Sequence, residues 1–250
     1  YKEDGIHAYP MLGILSDSIL SYNEHVLVFS GSIEGISYKV TFCPSGDAWF
    51  WNVALEGSCP QELDVVYGQD LGVAEDGGVY ANELYMSQYL GHSILEGAFG
   101  TVVCSRQNQP CGGCFPYVQQ GTIGIRAAHY STDGLQFFGL SYRETNIPDA
   151  LSHDLADRNL QYEFAYTALQ TERFALSGTK DFAFYGIFRK NHPDKISGLE
   201  YQEELAEAFK AVQTRIAAAD PLHTSSVQRS TQFGAPFCSA DFTEEDVAAY

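Results

Sequence analysis

Arg106, Gln107 and Asn108 are the strongest cluster of side chains for chemistry in this chain. A guanidinium and two primary amides present paired donors and acceptors at fixed angles, which is how proteins hold neutral polyhydroxyl ligands. Similar polar segments recur nearby as Tyr67-Gly68-Gln69-Asp70, Ser87-Gln88-Tyr89-Leu90-Gly91-His92 and Ser131-Thr132-Asp133-Gly134. Aromatic faces cover the apolar face of a sugar ring. Trp49 and Trp51 share one face of a strand, with Phe50 opposite. They could stack on a sugar or pack the core between two sheets. Asp70 could bind a hydroxyl pair or cap a turn. Strand periodicity sends Arg106 and Asn108 to one face and Gln107 to the other, unless a bend exposes all three. The cluster could equally be a buried hydrogen-bonded corner that holds neighbouring loops. The candidate carbohydrate contacts are therefore Trp51, Asp70, Arg106, Gln107 and Asn108.

Bond cleavage or epimerisation needs paired carboxylates or a histidine with a carboxylate. Asp70, Glu83, Asp133, Glu144, His92 and His129 are available, but no spacing singles out a pair. No Walker loop, nucleophile elbow or dinucleotide fingerprint occurs. No catalytic residue and no cofactor is expected. Cys111-Gly-Gly-Cys114 has redox or zinc spacing, yet no second ligand pair follows it and its glycines and prolines read as a surface loop. No metal site is expected.

The elements that must position these residues are mostly strands. Segments 25–29, 36–42, 48–55, 63–67, 101–105, 121–130 and 136–140 read as strands, the last two joined as a hairpin across Asp133-Gly134. Segment 82–96 is read as a strand from its Tyr85, Ser87, Tyr89 alternation. A longer hairpin is expected between 162–169 and 182–188, turning near Ser177-Gly178. Leu205, Phe209, Val212 and Ile216 lie at helical spacing, which predicts an amphipathic helix over about 198–219 that ends at Asp220-Pro221. Residues 222–240 read as a connector, and Thr243-Glu-Glu-Asp246 as a further helix start. The organisation expected is a sandwich over 1–196, a linker helix over 197–220 and a connector over 221–250.

Composition bounds the partners. At 250 residues and net charge −18, with five Lys or Arg in the first 150, the chain is a poor match for nucleic acid. No apolar run approaches the ~20 residues that span a bilayer. Six cysteines without framework spacing favour a reducing cytoplasm. The chain opens on Tyr1 rather than Met, which suggests a piece of a longer protein.

Several ordered blocks carry a family resemblance: Asp64 to Ala74, Asn82 to Leu90, Cys104 to Gln109, Phe115 to Gly121, Ser131 to Leu140, Tyr142 to Asn146 and Tyr162 to Gln170. Over about residues 20–220 the chain resembles the N-terminal domain of glycoside hydrolase family 94. That group includes cellobiose and chitobiose phosphorylases, cyclic β-1,2-glucan synthases and 1,2-β-oligoglucan phosphorylases. The last two blocks are closest to the oligoglucan branch. The resemblance implies a mainly-β, galactose mutarotase-like supersandwich, then a linker helix and an (α/α)₆ catalytic barrel outside this chain. It further implies inorganic phosphate as co-substrate of the parent enzyme, a β-linked glucooligosaccharide as ligand, and a homodimer as a possible assembly. A domain of a cyclic glucan synthase and a free-standing aldose 1-epimerase are the alternatives.

Overall fold

In a computed structural model, residues 1–224 are described apart from 3, 4, 14, 163 and 219–221. The strands are β1 (Ile19–Tyr22), β2 (Leu27–Ile33), β3 (Ile36–Ser45), β4 (Ala48–Leu63), β5 (Val66–Asp70), β6 (Leu90–Gly97), β7 (Gly100–Gln107), β8 (Tyr117–Ile123), β9 (Ala127–Ser131), β10 (Tyr166–Thr171), β11 (Phe174–Arg189) and β12 (His223–Thr224). The helices are α1 (Asp76–Ser87, two short pieces meeting at a kink where Asn82 has φ −166° and ψ 87°), α2 (Gly134–Phe138), α3 (Tyr142–Thr145) and α4 (Gln202–Ala217).

Hydrogen bonding runs in the order β12-β1-β2-β3-β4-β11-β8-β7, with β6 also paired to β7. A single parallel bridge, Gly100 to Ala127, then leads from β7 into β9-β10-β5. Tyr38, Val40, Val53, Leu55, Phe182 and Phe184 of the long sheet share one core with Val65, Ala127 and Leu169 from the three-stranded side. The three strands therefore fold back over one face of the long sheet, and the expected mainly-β supersandwich is observed.

Alternation along β4 sorts its side chains between the two faces. Trp51, Val53 and Leu55 enter the inter-sheet core, while Phe50, fully buried, points to the opposite face with Cys43, Tyr185 and Ile187. That second face is covered by α4 through Leu205, Phe209, Val212 and Ile216, the four residues marked by helical spacing. Full burial of an aliphatic side chain such as Leu205 or Val212 stabilises by about 1.5–3 kcal/mol. Arg215 Nη1 donates to Pro44 O at 2.8 Å and Gln213 Nε2 to Asn52 Oδ1 at 2.7 Å, which fixes the helix rotation on β3 and β4.

Four local readings are corrected. Segment 82–96 divides into the end of α1 and strand β6. The alternating Tyr85, Ser87 and Tyr89 have no sheet face to bury, since Ser87 alone in α1 is buried. Residues 136–138 belong to helix α2, which ends at Gly139, because Asp133 accepts a hydrogen bond from Gln136 N at 2.8 Å and so acts as an N-cap. Asp133 holds φ at −131°, outside the positive region that a two-residue hairpin turn needs. Segment 121–130 breaks into β8 and β9 at Gly124, where φ is 84°. The hairpin between 162–169 and 182–188 does not form: β10 pairs with β5 and β9, and β11 with β4 and β8. Gly178, at φ 86°, serves instead as a register shift within β11. Asp220-Pro221 and Thr243 to Asp246 lie outside the described residues, as does the expected connector except at its start, where His223 and Thr224 form β12.

Candidate functional site

The end of β7 sends consecutive side chains to opposite faces. Arg106 is held by three donations: Nε to His192 O at 2.7 Å, Nη2 to Pro193 O at 2.8 Å and Nη1 to Asn108 Oδ1 at 2.8 Å. Its guanidinium lies 4.2 Å from the Phe115 ring centroid, a stack worth roughly 0.5–2 kcal/mol. Arg106 thus pins the 190s loop to the sheet. Asn108 is exposed beside it, and its backbone N donates to Tyr89 O at 2.9 Å. Gly91 lies under Asn108, where a Cβ would come within 2.7 Å of Nδ2.

Gln107 faces the other way and is 1% exposed. Its Nε2 donates to Val73 O at 3.1 Å and Met86 O at 3.3 Å, and its Oε1 accepts from Gln109 N at 3.0 Å. Gln107 therefore ties α1 and the 71–74 loop to the sheet. The space it borders, between that loop, Glu83 and Leu90, measures about 10 Å³. That is room for about one water and none for a sugar ring.

Asp70 is exposed at the end of β5. Partial burial of its carboxyl, with the Glu83 charge added, raises its pKa above the usual aspartate range. Trp51 stands apart from the other four candidates. Its ring packs 4.6 Å from Phe42 and 6.4 Å from Phe29, partly buried against the inter-sheet core. The structure thus joins Arg106 to Asn108, sets Gln107 and Asp70 each near Glu83 of α1, and packs Trp51 against Phe42 and Phe29.

Two groupings go beyond the sequence reading, in which Tyr67, Gln69, Trp49, Tyr89 and His92 stand in separate segments. The first is a polar layer inside the sandwich. Tyr67 OH donates to Gln69 Oε1, and Gln120 Nε2 donates to the same oxygen at 3.1 Å. Thr167 Oγ1 donates to Gln120 Oε1 at 2.6 Å, and Trp49 Nε1 to Tyr67 OH at 3.4 Å. Alternate polar positions in β5 and β8 were the available signal. His92 Nδ1 meets Ser105 Oγ at 2.8 Å, and burial pushes the imidazole down to about 4, so it is neutral at pH 7.

The second group is a surface around α1. Tyr80 is 91% exposed, and Tyr85 and Leu84 are also exposed. The Tyr85 and Tyr89 rings meet edge to face at 5.3 Å, and their hydroxyls lie 2.7 Å apart. Through the Tyr89 carbonyl this surface reaches Asn108, and Gln161 Nε2 donates to Gln88 O at 2.6 Å from the 132–165 segment. That segment exposes Leu135, Leu140, Ile147 and Tyr162. Reading 82–96 as a strand hid the helical part of this surface.

Of the remaining acid–base candidates, His129 and Asp133 have local partners. His129 Nδ1 lies 2.7 Å from Asp157 and Nε2 4.0 Å from Asp154, so both ring nitrogens face carboxylates at the surface. Asp133 caps α2, and Glu144 sits in the exposed α3. No group of three or more His, Cys, Asp or Glu among the described residues could hold a metal ion. No helix among them is long and apolar enough to cross a membrane.

These features define a mainly-β sandwich domain in which Arg106 and Gln107 order loops and Tyr80, Tyr85 and Tyr89 line a surface around α1. The chain belongs to the SOGP N-terminal domain family, whose model matches residues 1–186. It is 39% identical over 205 residues to a 1,2-beta-oligoglucan phosphorylase of Listeria innocua serovar 6a, covering 82% of this chain and 18% of that protein. The chain thus spans less than a fifth of the length of this curated relative. Among solved structures, a candidate kojibiose phosphorylase from the human microbiome aligns at 9% identity over 76% of this chain and 20% of its own, with a TM-score of 0.36. A polysaccharide lyase aligns at 8% identity over 76% of this chain and 27% of its own, with a TM-score of 0.44.

Proposed function

We propose that this chain is the non-catalytic N-terminal domain of a phosphorylase that acts on β-linked glucooligosaccharides, most closely the 1,2-linked kind. One observation carries the reading: 39% identity to a 1,2-beta-oligoglucan phosphorylase, extending over 82% of this chain. In this reading the cleaving residues belong to a barrel elsewhere in the parent protein, with inorganic phosphate as co-substrate, in the cytoplasm. The domain presents the α1 surface with Tyr80, Tyr85 and Tyr89, together with Asn108, to the glycan approach or to the barrel.

Arg106 and Gln107 enter this function by ordering the surface, since their donors go to the carbonyls of His192, Pro193, Val73 and Met86 and to Asn108 Oδ1, and Gln107 Oε1 accepts from Gln109 N. Asn108, Tyr85 and Asp70 are the groups left accessible to a sugar. The test is phosphorolysis by the parent enzyme carrying Tyr85→Ala with Asn108→Ala. A severalfold rise in KM for longer oligosaccharides, with kcat held, is expected from loss of a remote contact. Unchanged kinetics on every chain length would remove the glycan-binding part of the reading.

A second reading follows from the exposure of Tyr80, at 91%, and Leu140, at 88%. Side chains of this size at that exposure suit an assembly face for the barrel or a second subunit, with no sugar contact. Titration of the chain with β-1,2-glucooligosaccharides separates the two: heat that vanishes in the Tyr85 and Asn108 variants supports glycan contact. Loss of parent dimer or barrel stability on Leu140→Lys supports assembly.

A further inference from the structure

Cys111 and Cys114 lie in the connection between β7 and β8 and face each other across a two-residue turn. Their backbones exchange both hydrogen bonds, Cys111 N to Cys114 O at 2.8 Å and Cys114 N to Cys111 O at 3.0 Å. Gly112 and Gly113 make the turn with φ of 56° and 80°, the paired positive values that a type I′ turn requires. Residues directly opposite in an antiparallel pair project their side chains to the same side. A hydrogen-bonded pair sets its Cα atoms ~5.5 Å apart, within the ~4.4–6.8 Å that a disulfide spans. Both thiols are free and partly exposed. Cys43 and Cys104, by contrast, are fully buried.

We propose that Cys111 and Cys114 are a redox modification site, closing a reversible intrachain disulfide by exchange with a low-molecular-weight disulfide. In the first step one cysteine thiolate attacks a sulfur of the small disulfide, forming a mixed disulfide and expelling one small thiolate. The second cysteine thiolate then attacks the protein sulfur of that mixed disulfide and expels the other. The two cysteines lose two electrons together, the small disulfide gains them, and the two protons pass to the two small thiols. Reduction by excess small thiol runs the same steps backwards.

The bond is labile rather than structural. Its ring encloses only Gly112 and Gly113, so it removes little freedom from the unfolded chain. Opposed Cβ atoms in a hydrogen-bonded pair stand about 5 Å apart, wider than the ~3.8 Å a relaxed disulfide prefers. Strained and exposed disulfides are the readily reduced ones. Partial burial raises the Cys111 thiol, with the Glu75 charge adding to it, so exchange accelerates as pH rises. Closure also withdraws the hydrogen that Cys111 Sγ donates to Gln109 O at 3.6 Å. Gln109 N in turn reaches the Gln107 side chain, so the switch touches the corner that orders α1.

Tryptic mapping of the full chain tests this cleanly, because no Lys or Arg occurs between Arg106 and Arg126 and both cysteines fall in one fragment. Equilibration with oxidised glutathione should remove two hydrogens from fragment 107–126 and protect it from alkylation. Excess reduced glutathione should restore both thiols. Cys114→Ser should instead carry one stable glutathione adduct on Cys111, with a melting temperature matching the reduced parent chain. Two adducts on the unmodified sequence, or two thiols that stay alkylatable in the oxidising buffer, would overturn the proposal.

Discussion

At His92, loss of solvation outweighs a single hydrogen bond to Ser105, and the ring stays neutral in the folded protein. Its pKa falls from 6.5 to about 4, so below pH 6.5 the unfolded chain binds a proton that the folded chain refuses. Stability from this residue is therefore fully present above about pH 6.5 and is lost as pH falls toward 4. Roughly 2–3 kcal/mol should go over that window. Urea titrations across it should show the slope, and His92→Gln should flatten it; an equal slope in both proteins would refute the assignment. Two amides nearby obey the same cost of leaving buried polar atoms unpaired. Gln107 and Gln120 are each 1% exposed and each has hydrogen-bond partners.

Among the elements, the seam between the layers rests on one bridge, and Gly100 is its hinge. Its φ is 82°, and a Cβ there would stand 2.4 Å from Ala127 O, a backbone atom that cannot swing aside. Gly100→Ala should therefore cost more than the roughly 1 kcal/mol of an ordinary glycine replacement. Thermal unfolding checks it, and a melting point within a degree of the parent would count against the seam. Legibility in the sequence followed the same division between buried and exposed. The strands around Trp49 to Leu55 and the helix through Leu205, Phe209, Val212 and Ile216 were readable because burial imposes their period. Asp133-Gly134 and the Tyr85 to Tyr89 stretch were not. A capping aspartate and a hairpin aspartate look alike in one dimension, and an exposed helix bears no apolar stripe. The candidate site was legible in part: the opposed faces of Arg106 and Gln107 follow from strand periodicity. That their donors end on the carbonyls of His192, Pro193, Val73 and Met86 depends on contacts 20 to 90 residues away.

For the molecule as a whole, the most consequential feature is β11. It spans sixteen residues and is bonded to β4 along most of its length and to β8 from Ala183 to Arg189. From Ala183 to Ile187 both edges of the strand are occupied, and its alternate side chains enter the inter-sheet core and the core beneath α4. No smaller opening can free those amides without parting both cores. In deuterated water the protons of Ala183 to Ile187 should consequently be the last to be replaced, at a rate that reports the global unfolding equilibrium. Those of β12, two exposed residues at the rim, should be gone almost at once. Two distinct classes of deuterium uptake, one for the strands around each core, would mean the two cores separate independently, and the domain would then have to be treated as two cooperative units rather than one.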